Sequence, residues 1–483
     1  MKNIPLSGFA ASPISACAAF CAAAVSLALA GCAAGPDYAA PATPLPAALT
    51  RDALELPGQQ TAPVSSRWWK AFGSPQLDAL VDEALAQSPT VAAARATLRA
   101  AQESVAAQRG AYFPQVQLSQ TNTRQNTGKT QQSPLNSGDT VFNYRTAQLS
   151  VGYTPDLFGG NRRQVESLEA SAEQQRWQLE GARQTLVSNL VGAVLQAASL
   201  KDQVDQTGQA VEAMQEQLRV MRNLQRSGYA SGLDVATQEN LLSQAQQALP
   251  PLQKQLEQTR NLVAVLTGRT PDAPLPLLSS LRLADLAAPP LPQAVPSQLV
   301  AQRPDVRAAE SALHAASAAI GVAQAARLPQ LSLTAAYGGG ATNFGSMFSA
   351  GNVVWSVGAG LLAPLFDGGT LAARQHVAEA QFDAAAASYR GAVLTAFQNV
   401  ADTLYALSID QRALQAADAS VAATRSSYEL TRAQLAQGYA SRPSMLAAQQ
   451  AWLQASAART AAYGTLLGDS VALYQAVGAP VER

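Results

Sequence analysis

Three cysteines, two histidines and 33 acidic residues spread through 483 are what this chain offers to nucleophilic, acid–base or metal chemistry. Cys17, Cys21 and Cys32 all lie at the N-terminus, so everything after residue 32 is built without a thiolate site or a disulfide. His314 and His376 stand singly, outside any His-Glu-x-x-His spacing, and a zinc centre needs three or four ligands. Both read as packed or solvated side chains. Gly128-Lys129-Thr130 lacks the upstream glycine and the strand-to-helix setting of a phosphate loop and reads as part of a hairpin loop. Gly338-Gly339-Gly340 follows one strand pattern and precedes another, and reads as a flexible loop. No acid, base and nucleophile converge, so neither an enzyme, lipid-anchored or otherwise, nor a cofactor or metal is expected.

Cys32 is the exception, because its position gives its thiol a use. Lys2 precedes an apolar, alanine-rich run from Ala16 to Ala30, shorter than the roughly 20 residues of a membrane span but suited to a signal-peptide core. The run ends in Leu29-Ala30-Gly31-Cys32, which resembles the lipobox of bacterial lipoproteins. That resemblance implies cleavage before Cys32, an S-diacylglycerol and an N-palmitoyl chain on it, and anchorage to lipid by more than one chain. Ala33 rather than Asp follows the cysteine, which by the enterobacterial sorting rule implies the outer membrane of a Gram-negative cell. Gly35 to Pro63 is rich in Pro and Ala and reads as an extended tether.

Composition describes the scaffold that follows. Only 14% of residues are charged, against about 25% in ordinary soluble chains. Lysine plus arginine equals aspartate plus glutamate at 33 each, so there is no basic excess for nucleic acid. Alanine supplies about a fifth of the residues, a composition of small-residue helix packing with an uncharged polar face.

The body is written twice. At a shift of 215, Pro89–Leu118 falls on Pro304–Leu333; near 208, Leu157-Phe158 falls on Leu365-Phe366; at 210, Arg222–Gly268 falls on Arg432–Gly478. Each half reads helix, strand, strand, helix, helix. Residues 76–112 read as one helix ended before Pro114. Alternation at Gln115–Gln120 and at Ala147, Leu149, Val151 and Tyr153 predicts a hairpin around a polar loop through Gly128, Pro134 and Gly138. Leu331, Leu333, Ala335 and Tyr337, then Val353 to Leu361, predict a second hairpin.

Residues 161–227 and 371–437 contain no proline and predict two helices of 67 residues, each about 100 Å long at 1.5 Å per residue. Val393, Phe397, Val400, Leu404, Leu407, Leu414, Val421, Tyr428 and Leu435 form a heptad stripe, and Val204, Val211, Met214, Leu218 and Met221 follow the same rule. Shorter helices at 76–112 and 233–267, and at 297–328 and 443–477, laid end to end approach one long helix in each half. A rod or tube with the hairpins emerging together is the expected shape.

Four strands cannot close a barrel, and an open edge is unstable in lipid. Strands of about 9–11 residues suit a membrane barrel, and three chains supply twelve. The division is a signal peptide at 1–31, a tether at 32–66, a first repeat at 67–275, a Pro-rich linker at 276–296, a second repeat at 297–478 and a tail at 479–483.

The two-fold repeat, Trp68-Trp69-Lys70-Ala71-Phe72 before Leu77 and Leu80, Pro89, Leu157-Phe158-Gly159, Leu365-Phe366-Asp367-Gly368-Gly369 and the lipobox together resemble the TolC-like outer-membrane efflux proteins, in their lipid-anchored NodT and OprM-like branch. The resemblance covers nearly the whole mature chain. It implies a mainly α-helical homotrimer with a 12-stranded membrane β-barrel and a long α-barrel across the periplasm. Such a trimer is the passive exit duct of a tripartite pump, with a periplasmic adaptor and an inner-membrane transporter of the RND type. The turns at Gly228-Tyr229 and Gly438-Tyr439 then become the periplasmic tips. Family members often carry an acid just inside the second tip helix; this chain reads Met445-Leu446-Ala447-Ala448-Gln449-Gln450 there. Asp234 and Glu239 are the better gate candidates, with Arg442 as their ion-pair partner, against a plain helix-terminal acid. Trp68, Trp69 and Phe72 read as packing residues. Two alternatives stand beside the efflux duct. A periplasmic adaptor should show a strand-dense lipoyl-like region that is not visible, and a duct for type I protein secretion shares the channel and differs in cargo.

Overall fold

A computed structural model describes residues 34–41, 65–128, 139–289, 301–479 and 481. Cys32, most of the tether, the centre of the first hairpin loop and residues 290–296 of the linker lie outside them. In order, the elements are α1 (Pro75–Gln87), α2 (Pro89–Arg109), β1 (Gln115–Asn126), β2 (Val141–Tyr153), α3 (Gly160–Arg226), α4 (Gly232–Leu266), α5 (Pro276–Ser280), α6 (Pro304–Ala325), β3 (Gln330–Ala341), β4 (Val353–Leu362), α7 (Thr370–Ala436) and α8 (Arg442–Ala476). Two compact units share them. One takes the described residues of 1–40, 99–173 and 310–387, and the other those of 41–98, 174–309 and 388–483.

The long helices form as their proline-free stretches require, with 67 residues in each of α3 and α7. In α7, Val393, Val400 and Leu407 are buried and Leu414, Val421, Tyr428 and Leu435 are half-buried among exposed neighbours, so the heptad stripe is the covered face. Val211, Met214 and Leu218 of α3 pack with Val235 and Leu242 of α4. Tyr428 stacks on Trp452 with ring centres 5.5 Å apart.

The expected single helix over 76–112 is two. Pro89 has no N–H and keeps the residue before it out of the helical region, and Ser88 sits at φ −59°, ψ 124°. A single 3-10 turn, Gly110–Tyr112, then ends the segment. Of the helix expected over 297–328, residues 297–300 lie outside the described ones; α6 starts at Pro304, since proline suits a first helical position, and ends at Ala325. Conversely, α4 continues through Pro250 and Pro251. The described part of the Pro-rich linker is a packed connector: Leu277, Leu278, Leu281, Leu283 and Leu286 are buried. Asp202 of α3 holds it, accepting from Leu283 N at 3.0 Å and from Arg282 Nη1 at 3.1 Å.

Trp68, Trp69 and Phe72 are at most 2% exposed, and Trp68 stacks on Tyr474 at 5.0 Å. They are core, as expected of them.

The sheet is antiparallel in the order β1-β2-β3-β4, with strands of 10 to 13 residues, slightly longer than the expected 9–11. Residues paired across strands share a face. One face carries the rows Val116, Val151, Ala335, Val357 and Leu118, Leu149, Tyr337, Trp355. The other carries Gln117, Ser150, Ala336, Ser356 and Gln115, Gly152, Thr334, Gly358. The apolar face is open: Leu118 is 78% exposed, Trp355 73% and Val357 76%. No helix among the described residues is long and apolar enough to cross a membrane.

Gly338–Gly340 belong to β3, not to a flexible loop. A side chain on Gly339 would lie 2.1 Å from the Met347 carbonyl oxygen, because the turn between β3 and β4 folds back and buries Met347. Close approach, rather than flexibility, is what these glycines supply.

Candidate functional site

The two turns between a long and a short helix have the same hydrogen-bond pattern 210 residues apart. Gly228 and Gly438 adopt φ +79° and +80°, a left-handed conformation that costs glycine little. Gly228 N donates to Gln225 O and Tyr229 N to Leu224 O; Gly438 N donates to Leu435 O and Tyr439 N to Gln434 O. These are paired helix C-caps that satisfy the last carbonyls of α3 and α7. Tyr229 and Tyr439, next in sequence, are 83% and 82% exposed.

Each following helix is capped by serine. Asp234 N donates to Ser231 Oγ and Ser444 N to Ser441 Oγ, both at 3.2 Å. In the first turn Asp234 completes a capping box, its Oδ2 accepting from Ser231 N at 2.8 Å. Those bonds hold its carboxyl below the usual aspartate range. The position 210 residues on is Ser444, so only one of the two turns carries the acid.

The expected pairing of Arg442 with Asp234 or Glu239 is not what the chain forms. Arg442 Nη2 donates to Glu216 Oε1 at 2.9 Å, and Glu216 also accepts two bonds of 2.7 Å from Arg219. Glu239 accepts from Arg222 Nη2 at 2.7 Å. Ion pairs therefore tie α3 to α4 and α3 to α8, while Asp234 is committed to its own cap. Sequence reading missed Glu216 and Arg222, which lie inside a helix with no motif around them; the one visible signal was Glu216 and Arg219 at i,i+3. The side chain of Arg219 holds Glu216 below the usual carboxylate range, and Arg442 adds to this. Both lowered acids stay ionised through neutral pH, so what they contribute is lost only in acid, as pH falls through their lowered pKa values. These pairs are solvent-facing and screened by salt. They can hold the two turns together without making that hold permanent.

Asp234→Ala tests the cap directly. Hydrogen exchange at the amides of Ser231 to Asp234 is expected to rise several-fold, with the rest of α4 unchanged; protection lost along the whole helix would mean that Asp234 does more than cap it.

Elsewhere, His314 Nε2 lies 2.9 Å from Glu166 Oε1, and His376 is exposed. Among the described residues no group of three or more His, Cys, Asp or Glu could hold a metal.

The family model described as "Outer membrane efflux protein" matches residues 80–269 and 295–479. The pyoverdine export outer membrane protein OpmQ of Pseudomonas putida is 33% identical over 416 residues, 85% of this chain and 87% of its own. The antibiotic efflux pump outer membrane protein ArpC, also of Pseudomonas putida, is 30% identical over 455 residues, 92% of this chain and 91% of its own. The solved outer-membrane channel OprN superposes with a TM-score of 0.81 at 28% identity, covering 92% of this chain and 99% of that one. With both halves matched and with relatives aligned over most of their length, this chain belongs to the outer membrane efflux protein family.

Proposed function

We propose that three copies of this chain close into a passive exit duct for small molecules, a 12-stranded β-barrel in the outer membrane continued by an α-helical barrel. The number three is what the family resemblance implies. The observation that carries closure is an unequal exposure of two equivalent joints. In the first half, Leu157 and Phe158 lie at a cleft of about 300 Å³ lined also by Val322, Ala325, Ala326 and Pro329 at the end of α6. Their sequence counterparts Leu365 and Phe366 are 96% and 93% exposed. Of the counterparts of the cleft wall at and after the end of α2, Ala107 and Pro114 are exposed and Gly110 is half-buried, while Ala111 is exposed and also borders the first cleft. A duplicated chain whose second joint is largely bare fits a ring in which Leu365 and Phe366 of one copy seat on α2 of the next. The same ring pairs the open edges of β1 and β4, turns the apolar face of the sheet to lipid and turns the Gln, Ser and Gly face inward.

The partners we propose are a periplasmic adaptor meeting the tips and an inner-membrane RND-type transporter that supplies the energy. The duct does no chemistry; it excludes and conducts, and the tip ion pairs on α3, α4 and α8 are the latch. Cys32 carries the acyl anchor. Pyoverdine and antibiotics, in the names of two relatives, support a small-molecule cargo. The test is drug susceptibility of a Gram-negative host lacking its own exit duct, given this chain with an adaptor and an RND transporter. A several-fold rise in the inhibitory concentration, lost when any one of the three is omitted, is expected. Unchanged susceptibility with the chain present in the outer membrane would refute the proposal.

A further inference from the structure

The first described residues after Cys32 are not loose. Arg163 of α3, whose side chain is only 7% exposed, gathers them: Nε donates to Ala34 O at 3.0 Å, and Nη2 to Gly35 O at 3.4 Å and to Asp37 Oδ1 at 2.8 Å. Glu166 holds the same guanidinium at 2.7 Å and lies 2.9 Å from His314, on whose ring Tyr38 stacks at 4.2 Å. Ala34 N donates to Phe158 O, between β2 and α3. The floor is Gly321 of α6. A side chain there would lie 2.7 Å from Ala34 O, and one on Gly35 would lie 2.4 Å from Gly321 Cα. A buried arginine aimed at main-chain carbonyls and two glycines in contact make a socket shaped for this segment.

The socket exists once in a chain written twice. At the same shifts that align the halves, the counterparts of Arg163, Glu166, His314 and Gly321 are Ala373, His376, Arg99 and Ala106. None of these reproduces the arginine, the acid or the glycine floor.

We infer that this socket is a docking site for the chain's own N-terminus, which seats the residue after next to Cys32 beside the feet of β2 and β3 and so fixes where the acyl chains enter the membrane. Cys32 is two residues before Ala34, so its Cα lies within about 8 Å of the Ala34 Cα at 3.8 Å per step. The anchor is then a fixed part of the barrel rim rather than the end of a free tether. The lipid half of this inference rests on the acylated-Cys32 reading; the docking half does not.

The test uses the full-length protein extracted from outer membranes, compared with Gly35→Val, which alters only the segment, and with Arg163→Ala. Hydrogen exchange in peptides covering 34–41 is expected to rise at least tenfold in both variants, with β1 to β4 unchanged. A photo-crosslinker placed at Leu157 is expected to capture the acylated N-terminal peptide in the parent and to lose it in Gly35→Val. Unchanged exchange in both variants would overturn the docking. Intact mass separates the two halves: a chain without acyl groups on Cys32 refutes the lipid reading while the exchange result still judges the socket.

Discussion

Replacing Leu365 and Phe366 together by aspartate is expected to convert the detergent-extracted protein from a trimer to a monomer while its helices remain formed. Both side chains already face solvent in the single chain, at 96% and 93% exposure, so the substitution costs the monomer almost nothing. In the proposed ring each seats on α2 of a neighbour, where burying a Leu or Phe side chain contributes about 1.5–3 kcal/mol. A carboxylate in that place adds a desolvation cost with no partner to offset it. The effect occurs at each of three joints, so the loss is tripled before any strand pairing is counted. Tyr439→Asp, which changes an 82% exposed aromatic at a helix tip, is expected to leave the trimer intact. Light scattering coupled to size exclusion reads both variants. A double aspartate variant that remains trimeric would remove the joint proposed here.

Asp410→Asn is expected to stabilise the protein at pH 8 by about 1–3 kcal/mol per chain and to do almost nothing at pH 4. Burial, together with the neighbouring Asp469 carboxylate, pushes the Asp410 carboxyl up to about 6, and its Oδ2 is buried without a hydrogen-bond partner. The folded chain therefore prefers the protonated acid more strongly than the unfolded chain does. Below about pH 4 both states are protonated and nothing is lost; between about pH 4 and 6 the folded state becomes progressively disfavoured; above about 6 the full cost is present. Asparagine keeps the shape and abolishes the charge. Apparent melting temperature across this pH range should show a gain for the variant that appears between pH 4 and 6 and then levels off. An equal gain at every pH, or a loss at pH 8, would contradict the assignment.

What could be read from residues alone follows the range of the forces involved. The two 67-residue helices, the heptad stripe through Val400 and Leu407, the alternation in β1 to β4 and the glycine caps at 228 and 438 are local patterns, and local patterns survive in a sequence. Ser88 was legible too, since Pro89 signals the break; the helix-favouring residues on either side masked it. The helix expected over 233–267 forms even though Pro250 and Pro251 stand inside it. The glycines at 338–340 read as flexible because their cause, the Met347 carbonyl on the strand, is a contact that no spacing rule announces. The same holds for the ion pairs. Arg442 and Glu216 are 226 residues apart, and only the packing of α8 near α3 chooses Glu216 over Asp234. The socket is the extreme case: Arg163 looks like any helix surface arginine until Ala34, Gly35 and Asp37 are laid over it. Family membership, by contrast, was carried by several weak motifs in a fixed order.

The most direct test of the duct itself is a three-dimensional electron-microscopic reconstruction of the wild-type protein extracted from outer membranes. The expected particle has three-fold symmetry, twelve strands in one closed barrel, and Leu365 and Phe366 of each copy seated against α2 of the next. A barrel of another strand count, or single chains with β1 and β4 unpaired, would contradict closure by three copies.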